Sequence, residues 1–463
     1  MIFWKKPEPP KKTDSQYILG ISAYGSDPAA AILKDDELLF EGSEAALTGK
    51  KASGCFPAAA VAEALAKASE AEGSIMGVKD LAAVAFHEKP LLKYGRFFET
   101  WMANAPGGAA YFIASSAEAF LAKRAGTGLL KKELAAVSWG EEARLALYPE
   151  YLLSGAASAF YLSTFEEAAI LVLDGPGEWA SAAIAIGSGE RIKILREIRF
   201  PDSPDLLCSA LAGYIGLKGA AVRNLFAAVP AAGTAPGKDY AALIKKELVE
   251  LREDGSLRLS PLYFNPAAGM APDYSRWTAL FGLPKRAPDA ETTPEHLAFA
   301  AAARQVLEET LFLLAAQAKR LTGTRNLCLG GGSALNLAVN GKLKASGLFS
   351  EIRVQPAAPS AGRAAGAALA ARHIHFGARR GAVKTPAAVP ESPSAGAEEA
   401  APPGPLASFS LYLHFCLTII PSALLRRLKG EPPALDFKKN TDESALYAAR
   451  NHIYSPEDLK DPL

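Results

Sequence analysis

Two stretches of this chain share one layout, and that repetition restricts the chain to a duplicated fold. In the first, Tyr17–Tyr24, Ala29–Lys34 and Glu37–Ser43 read as strands, separated by Gly25-Ser26-Asp27-Pro28 and then by Asp35-Asp36. In the second, Ala168–Leu173, Ala180–Gly187 and Arg191–Phe200 repeat the pattern, with Asp174-Gly175-Pro176-Gly177 at the first break. Breaks this short fit antiparallel turns. Each copy carries an aspartate at its first turn.

A later segment has a different form. Leu327-Cys328-Leu329 runs as an apolar strand into Gly330-Gly331-Gly332, and Ser333-Ala334-Leu335-Asn336 opens a helix at once. Glycines let a ligand approach the backbone. A helix N-terminus offers unpaired N–H groups and a positive dipole end, which suit anionic or polar ligand atoms. The stretch is a candidate nucleotide-binding turn, although glycines between strand and helix also serve as plain structural punctuation. Helices are predicted near 57–70, 91–103, 204–216, 237–251, 294–322, 335–346 and 361–375, with further strands at 81–86, 134–137 and 351–355.

The chain has 463 residues, 49% of them apolar, enough for a large core divided among two or three domains. With 50 basic and 49 acidic residues there is no basic surface for nucleic acid. Cys55, Cys208, Cys328 and Cys416 form no C-x-x-C pair, so a zinc site or redox dithiol is not expected, and a cytoplasmic location fits. Residues 1–16 form a Lys- and Pro-rich tail without the apolar stretch of a secretory signal. Two lobes are expected over 17–165 and 166–376, then an Ala/Pro-rich disordered linker over 377–405. The remainder, 406–463, begins with an apolar run, 406–425, of about membrane-spanning length. It reads either as a helix packed on the domain or as one in contact with a membrane.

Taken together, the Gly20–Tyr24 strand with Asp27, the Asp174–Trp179 turn and the Gly330–Asn336 turn resemble the sugar-kinase/actin ATPase architecture, an α/β fold of two lobes. More specifically, over about residues 17–375 the chain resembles the O-carbamoyltransferases of nodulation-factor and antibiotic biosynthesis. Matching segments are Phe56-Pro57, Glu88–Lys93, Ala156–Phe160, Asp174–Trp179 and Gln355-Pro356-Ala357-Ala358. The resemblance implies a two-stage activity. One domain makes carbamoyl adenylate from carbamoyl phosphate and ATP, and the actin-like domain passes the carbamoyl group to an acceptor hydroxyl.

The chain also departs from that family. Where the family places metal-ligating histidines four apart, it reads Tyr151-Leu152-Leu153-Ser154-Gly155, and neither Leu152 nor Gly155 has a ligating side-chain atom. Ser26-Asp27 stands for His-Asp, Glu44–Gly49 lacks the family's arginines, Ala221–Asn224 replaces Gly-Glu-Tyr-Lys, and Ser360 replaces an aspartate. No match to the adenylate-forming domain follows residue 361.

What the resemblance leaves is a set of candidate roles. Asp174 and Asp27 are candidate catalytic carboxylates; a turn-forming role is the other reading of each, and the motif context places Asp174 near a phosphate or metal. Gly330, Gly331, Gly332, Ser333, Asn336, Gly175 and Gly177 are candidate nucleotide contacts for ATP or carbamoyl adenylate, with helix capping as the other reading of Asn336. Glu178 and Trp179 are candidate substrate contacts, with packing as the other reading of Trp179. Lys50 and Lys51 are either a substitute phosphate clamp or a solvated pair. No bound metal is expected. Two functions follow: carbamoyl transfer to a small-molecule hydroxyl, weakened or lost here, or a non-catalytic nucleotide-binding partner of an intact carbamoyltransferase paralogue.

Overall fold

The computed structural model describes residues 16–25, 27–50, 54–105, 107–108, 128–137, 145–217, 239–332, 337–355 and 359–381. The expectations for Ser26, Lys51, Ala221–Asn224, Ser333, Asn336, Ala357-Ala358, residues 382–405 of the linker and the apolar segment 406–425 lie outside them. Among the described residues no helix is long and apolar enough to cross a membrane.

The first half runs β1 (Tyr17–Ser22), β2 (Ala29–Lys34), β3 (Glu37–Ser43), α1 (Glu44–Thr48), α2 (Ala58–Glu72), β4 (Ala83–Phe86), α3 (Pro90–Asn104), α4 (Gly128–Val137), β5 (Ala146–Leu147) and α5 (Tyr151–Tyr161). The second runs β6 (Glu167–Leu173), β7 (Ala180–Ser188), β8 (Arg191–Arg199), α6 (Pro204–Tyr214), α7 (Tyr240–Leu243), β9 (Val249–Leu251), β10 (Leu257–Leu259), β11 (Phe264–Asn265), β12 (Ala271–Pro272), α8 (Tyr274–Phe281), α9 (Pro294–Thr322), β13 (Asn326–Gly330), α10 (Leu337–Ala345), β14 (Glu351–Val354) and α11 (Pro359–Ala370).

Each half builds a five-stranded sheet with one strand order. The first is β3-β2-β1-β4-β5 and the second β8-β7-β6-β13-β14. In both, the first three strands are antiparallel neighbours, and the last two join in parallel. The short breaks seen in the sequence can make only hairpins, whereas the parallel strands need crossovers, and the helices supply them. The result is the duplicated actin/sugar-kinase-like α/β fold. Local signals set the long helix: Thr293 accepts from the His296 amide, Pro294 occupies the first turn, and Gly323 ends α9 at φ +66°.

Between the sheets lie α5 and α11, and their small residues decide how close the halves come. One apolar cluster joins Ile18, Ala29 and Leu33 of the first sheet, Ala156, Ala364 and Ala368 of the two helices, and Ile170, Val172 and Cys328 of the second sheet. A Cβ at Gly366 would stand 1.8 Å from the Ser154 carbonyl oxygen, so the α5–α11 contact needs glycine there. Below the second sheet, Tyr214, Trp277, Phe281 and Phe299 pack ring against ring with centroids 4.9–6.1 Å apart.

Three expectations need correction. Leu134–Val137 is helical: Leu130 and Leu134, both buried, stand one helical turn apart on α4, and so short an apolar run has no readable period. The helix expected to reach 251 stops at 248, because Val249–Leu251 and Leu257–Leu259 alternate about an Asp254-Gly255 turn and pair as a hairpin. The chain stays packed past 377: Arg380 donates to the Phe160 and Ser163 carbonyls at 2.7 and 2.6 Å.

Candidate functional site

Adjacent parallel strands deliver two turns to one place. Strand β6 ends at Leu173 and β13 at Gly330, which pairs with Val172. Loops beyond the carboxyl ends of such strands are where α/β folds place ligands. Gly331 adopts φ +90°, and a Cβ there would come 2.2 Å from the Leu173 carbonyl oxygen, so no other residue fits. Gly332 then turns its open face toward Asp174 Oδ1, 3.5 Å from where a Cβ would stand. The Asp174 turn is itself held: Gly175 N–H donates to Asp174 Oδ1 at 2.9 Å, and Gly177 N–H to the Ala180 carbonyl at 3.1 Å.

A third element closes on this pair of turns. Helix α11 brings Arg363 to Asp174, Nη1 to Oδ2 at 2.7 Å, while Nη2 donates to Ser360 Oγ at 3.0 Å. Both charged side chains are nine-tenths buried, 11% exposed each. The guanidinium lies over the Tyr151 ring, 4.8 Å from its centroid. Burial raises the Tyr151 hydroxyl well above its ordinary range, so it stays protonated.

His87 stands beside Tyr151, ring centroids 5.8 Å apart, directly after β4. Burial lowers its pKa to about 3, and Arg363 and Lys93 oppose a second positive charge, so the imidazole is neutral near pH 7. Its Nδ1 has no hydrogen-bond partner among the described residues, and neither does Arg363 Nε. Neighbouring Glu88 pairs with Lys93 at 3.0 Å; burial would raise Glu88, but the Lys93 charge outweighs it and the carboxyl is lowered.

Glu178 is buried. Its Oε1 accepts the Lys89 amide at 2.7 Å and the Tyr151 amide at 3.1 Å, the entries to α3 and α5. Burial, with Glu150 and Glu88 nearby, pushes its pKa up to about 8 against the pull of those amides.

The structure therefore gathers Asp174, Gly175, Gly177, Gly330, Gly331 and Gly332 at one end of the second sheet. It turns Glu178 inward onto backbone amides and leaves Trp179 half-buried, its carbonyl accepting from Phe200 N–H at 2.8 Å. Asp27 sits half-buried on the β1–β2 turn of the other lobe. Sequence reasoning missed Arg363, Tyr151 and His87. A charged residue inside the small-residue run Ala361–Ala371 was the available signal for Arg363.

The donor set does not suit a metal. Tyr151 gives its ring to Arg363, Leu152 is buried, and Gly155 packs within the helix layer beside Gly330. Among the described residues no three His, Cys, Asp or Glu side chains come together as a metal site.

Comparison with known proteins adds an independent line. A family model described as the carbamoyltransferase N-terminus matches residues 17–369. An uncharacterised protein of Synechocystis sp. is 37% identical over 365 residues, 78% of this chain and 57% of its own length. Nodulation protein NolNO of Sinorhizobium fredii is 33% identical over 244 residues, 52% of this chain and 34% of its own. Among solved structures, component A of the Acidaminococcus fermentans (R)-2-hydroxyglutaryl-CoA dehydratase is similar over 77% of this chain and 97% of its own, at 17% identity and a TM-score of 0.35. The chain thus spans 57% and 34% of the length of these two curated relatives.

Proposed function

Because the chain belongs to the carbamoyltransferase N-terminus family, we propose that it serves carbamoyl transfer in small-molecule biosynthesis, taking carbamoyl adenylate between its lobes and an acceptor hydroxyl beside it. The observation that carries this reading is the convergence of the Gly331-Gly332 turn on Asp174. Backbone amides of the Gly331-Gly332 turn would hold the adenylate, and fixed donors there need no reorganisation as charge develops on the carbonyl oxygen. Asp27 or Asp174 would take the proton of the acceptor hydroxyl.

One observation favours a second reading. Asp174 is already paired with Arg363, and Glu178 is occupied by two amides. Oxygens already bonded to fixed partners are not free to receive the proton of an acceptor hydroxyl. The chain would then bind the nucleotide without completing transfer, as partner of an intact carbamoyltransferase. Contact with a membrane through 406–425 belongs to the same reading.

A transfer assay with radiolabelled carbamoyl adenylate supplied directly and a panel of hydroxyl acceptors separates the two. Turnover by the isolated chain, lost in Asp174→Asn, supports catalysis. Nucleotide binding without turnover, together with co-purification of a full-length paralogue, supports the partner role. Absence of nucleotide binding rejects both.

A further inference from the structure

We propose that the Arg363 guanidinium takes the place of a divalent cation at the Asp174 turn, so that this chain holds an oxyanion ligand there without a metal. The inference rests on the nucleotide-binding reading above and deepens it.

The first support is what fills the turn. A cation approaching Asp174 Oδ2 would meet Arg363 Nη1 already 2.7 Å away, and Ser360 Oγ fixes the second arm of the fork at 3.0 Å. A guanidinium stays charged throughout the physiological range and, lying over Tyr151, has little freedom to swing away. The second support is the failure of the metal donor set: tyrosine, leucine and glycine stand where ligands would be needed.

The third support is what the pair leaves unsatisfied. Arg363 Nε is buried with no hydrogen-bond partner among the described residues, and so is Nδ1 of His87, whose ring centroid lies 5.8 Å from that of Tyr151. Buried polar groups without partners are costly, and they mark places where a ligand atom completes the bonding. Nε is a donor only, so the atom it awaits is an acceptor. A phosphoryl oxygen fits, and the neutral imidazole adds a donor or an acceptor according to its tautomer. Asp174 acts as the anchor that aims the guanidinium, and Arg363 carries the charge toward the ligand.

The test uses the full chain. Mn2+ alone is titrated with the free ion followed by electron paramagnetic resonance, and ATP is titrated calorimetrically in EDTA and in Mg2+. We expect no Mn2+ bound below about 1 mM, and ATP affinity equal within about twofold in the two buffers. We expect affinity about tenfold or more weaker in Arg363→Gln, and partly recovered in Arg363→Lys. The Asp174→Asn/Arg363→Gln double variant keeps a neutral hydrogen-bonded pair, so it guards against a loss caused by misfolding. Tight Mn2+ binding by the wild type that Asp174→Asn abolishes overturns the proposal. So does ATP affinity that needs Mg2+ and ignores Arg363→Gln. If ATP binds in neither buffer, the nucleotide reading fails, and the Mn2+ titration still decides whether a metal occupies the turn.

Discussion

Glu178 Oε1 accepts the backbone amide of Tyr151 at 3.1 Å, so a turn of the second sheet caps the helix that lies between the two sheets. The same oxygen accepts the Lys89 amide at 2.7 Å, at the entry to α3. One carboxyl group thereby fixes two helix starts of the first lobe to the Asp174 turn of the second. This bolt, with the Arg363–Asp174 pair beside it, sets the geometry of the interlobe site.

Removing the bolt should be costly. Glu178→Ala leaves two buried amides without acceptors, each costing about 1–3 kcal/mol, so a loss of roughly 2–6 kcal/mol is expected. Glu178→Gln keeps one carbonyl acceptor and should lose less than half as much. Denaturant unfolding of the three proteins reads the difference; equal losses in Ala and Gln would show that the amides are satisfied in another way.

The same residue gives a pH dependence with a definite sign. Its folded pKa is raised from 4.5 to about 8, so the folded state prefers the protonated acid. The stability that this preference contributes is complete below pH 4.5 and is lost as pH rises through about 8. With the proton on Oε2, Oε1 alone can still accept both amides. His87 acts in the opposite sense: its folded pKa is lowered from 6.5 to about 3, so its contribution is present above 6.5 and is lost as pH falls toward 3. Thermal melts from pH 4 to 9 should therefore show an alkaline fall that Glu178→Gln abolishes and an acid fall that Glu178→Gln leaves intact. An unchanged alkaline limb in the variant would remove Glu178 as its source.

The α5–α11 contact makes a purely steric prediction. A methyl group at Gly366 would stand 1.8 Å from the Ser154 carbonyl oxygen, a backbone atom that cannot rotate away. Gly366→Ala should force the helices apart at a cost of about 1–3 kcal/mol or more. By contrast, Gly341, on α10, has nothing within 4 Å of an added Cβ, and Gly341→Ala should be neutral or slightly stabilising. Differential scanning calorimetry separates the two, and equal melting temperatures would show that the helices have slack that the packing does not suggest.

The fold was legible because its signals are local. Breaks of a few residues at Asp35-Asp36 and Asp174–Gly177 permit only hairpins, and their repetition reveals the duplication. The glycine turn at 330–332 was legible for the same reason. The contacts that define the site are not local. Arg363 and Asp174 are separated by 189 residues, and the Glu178–Lys89 bond spans 89. No pattern along the chain couples such positions. Glu178 was a candidate substrate contact through the resemblance alone; its bonds to the Lys89 and Tyr151 amides, which turn it inward at the starts of α3 and α5, join positions far apart in sequence. The Leu134–Val137 error came from four residues too few to carry a period, whereas Leu130, one turn earlier, supplied the helical spacing.

The Arg363–Asp174 pair can be tested for how much it couples. Both side chains are 11% exposed, so either one left alone is a charge in a medium that solvates it poorly. Asp174→Ala strands the guanidinium and Arg363→Ala strands the carboxylate; each should cost roughly 3–5 kcal/mol. Removing both takes away the unpaired charge as well as the bond, so the double variant should be less destabilised than the sum of the two by about 2 kcal/mol or more. Additive losses would mean that Ser360 and the Gly175 amide, not the partner charge, hold these side chains. Non-additive losses, combined with loss of ATP binding in the Arg363 variants, would show that one ion pair both fastens α11 to the Asp174 turn and presents the charge to the ligand.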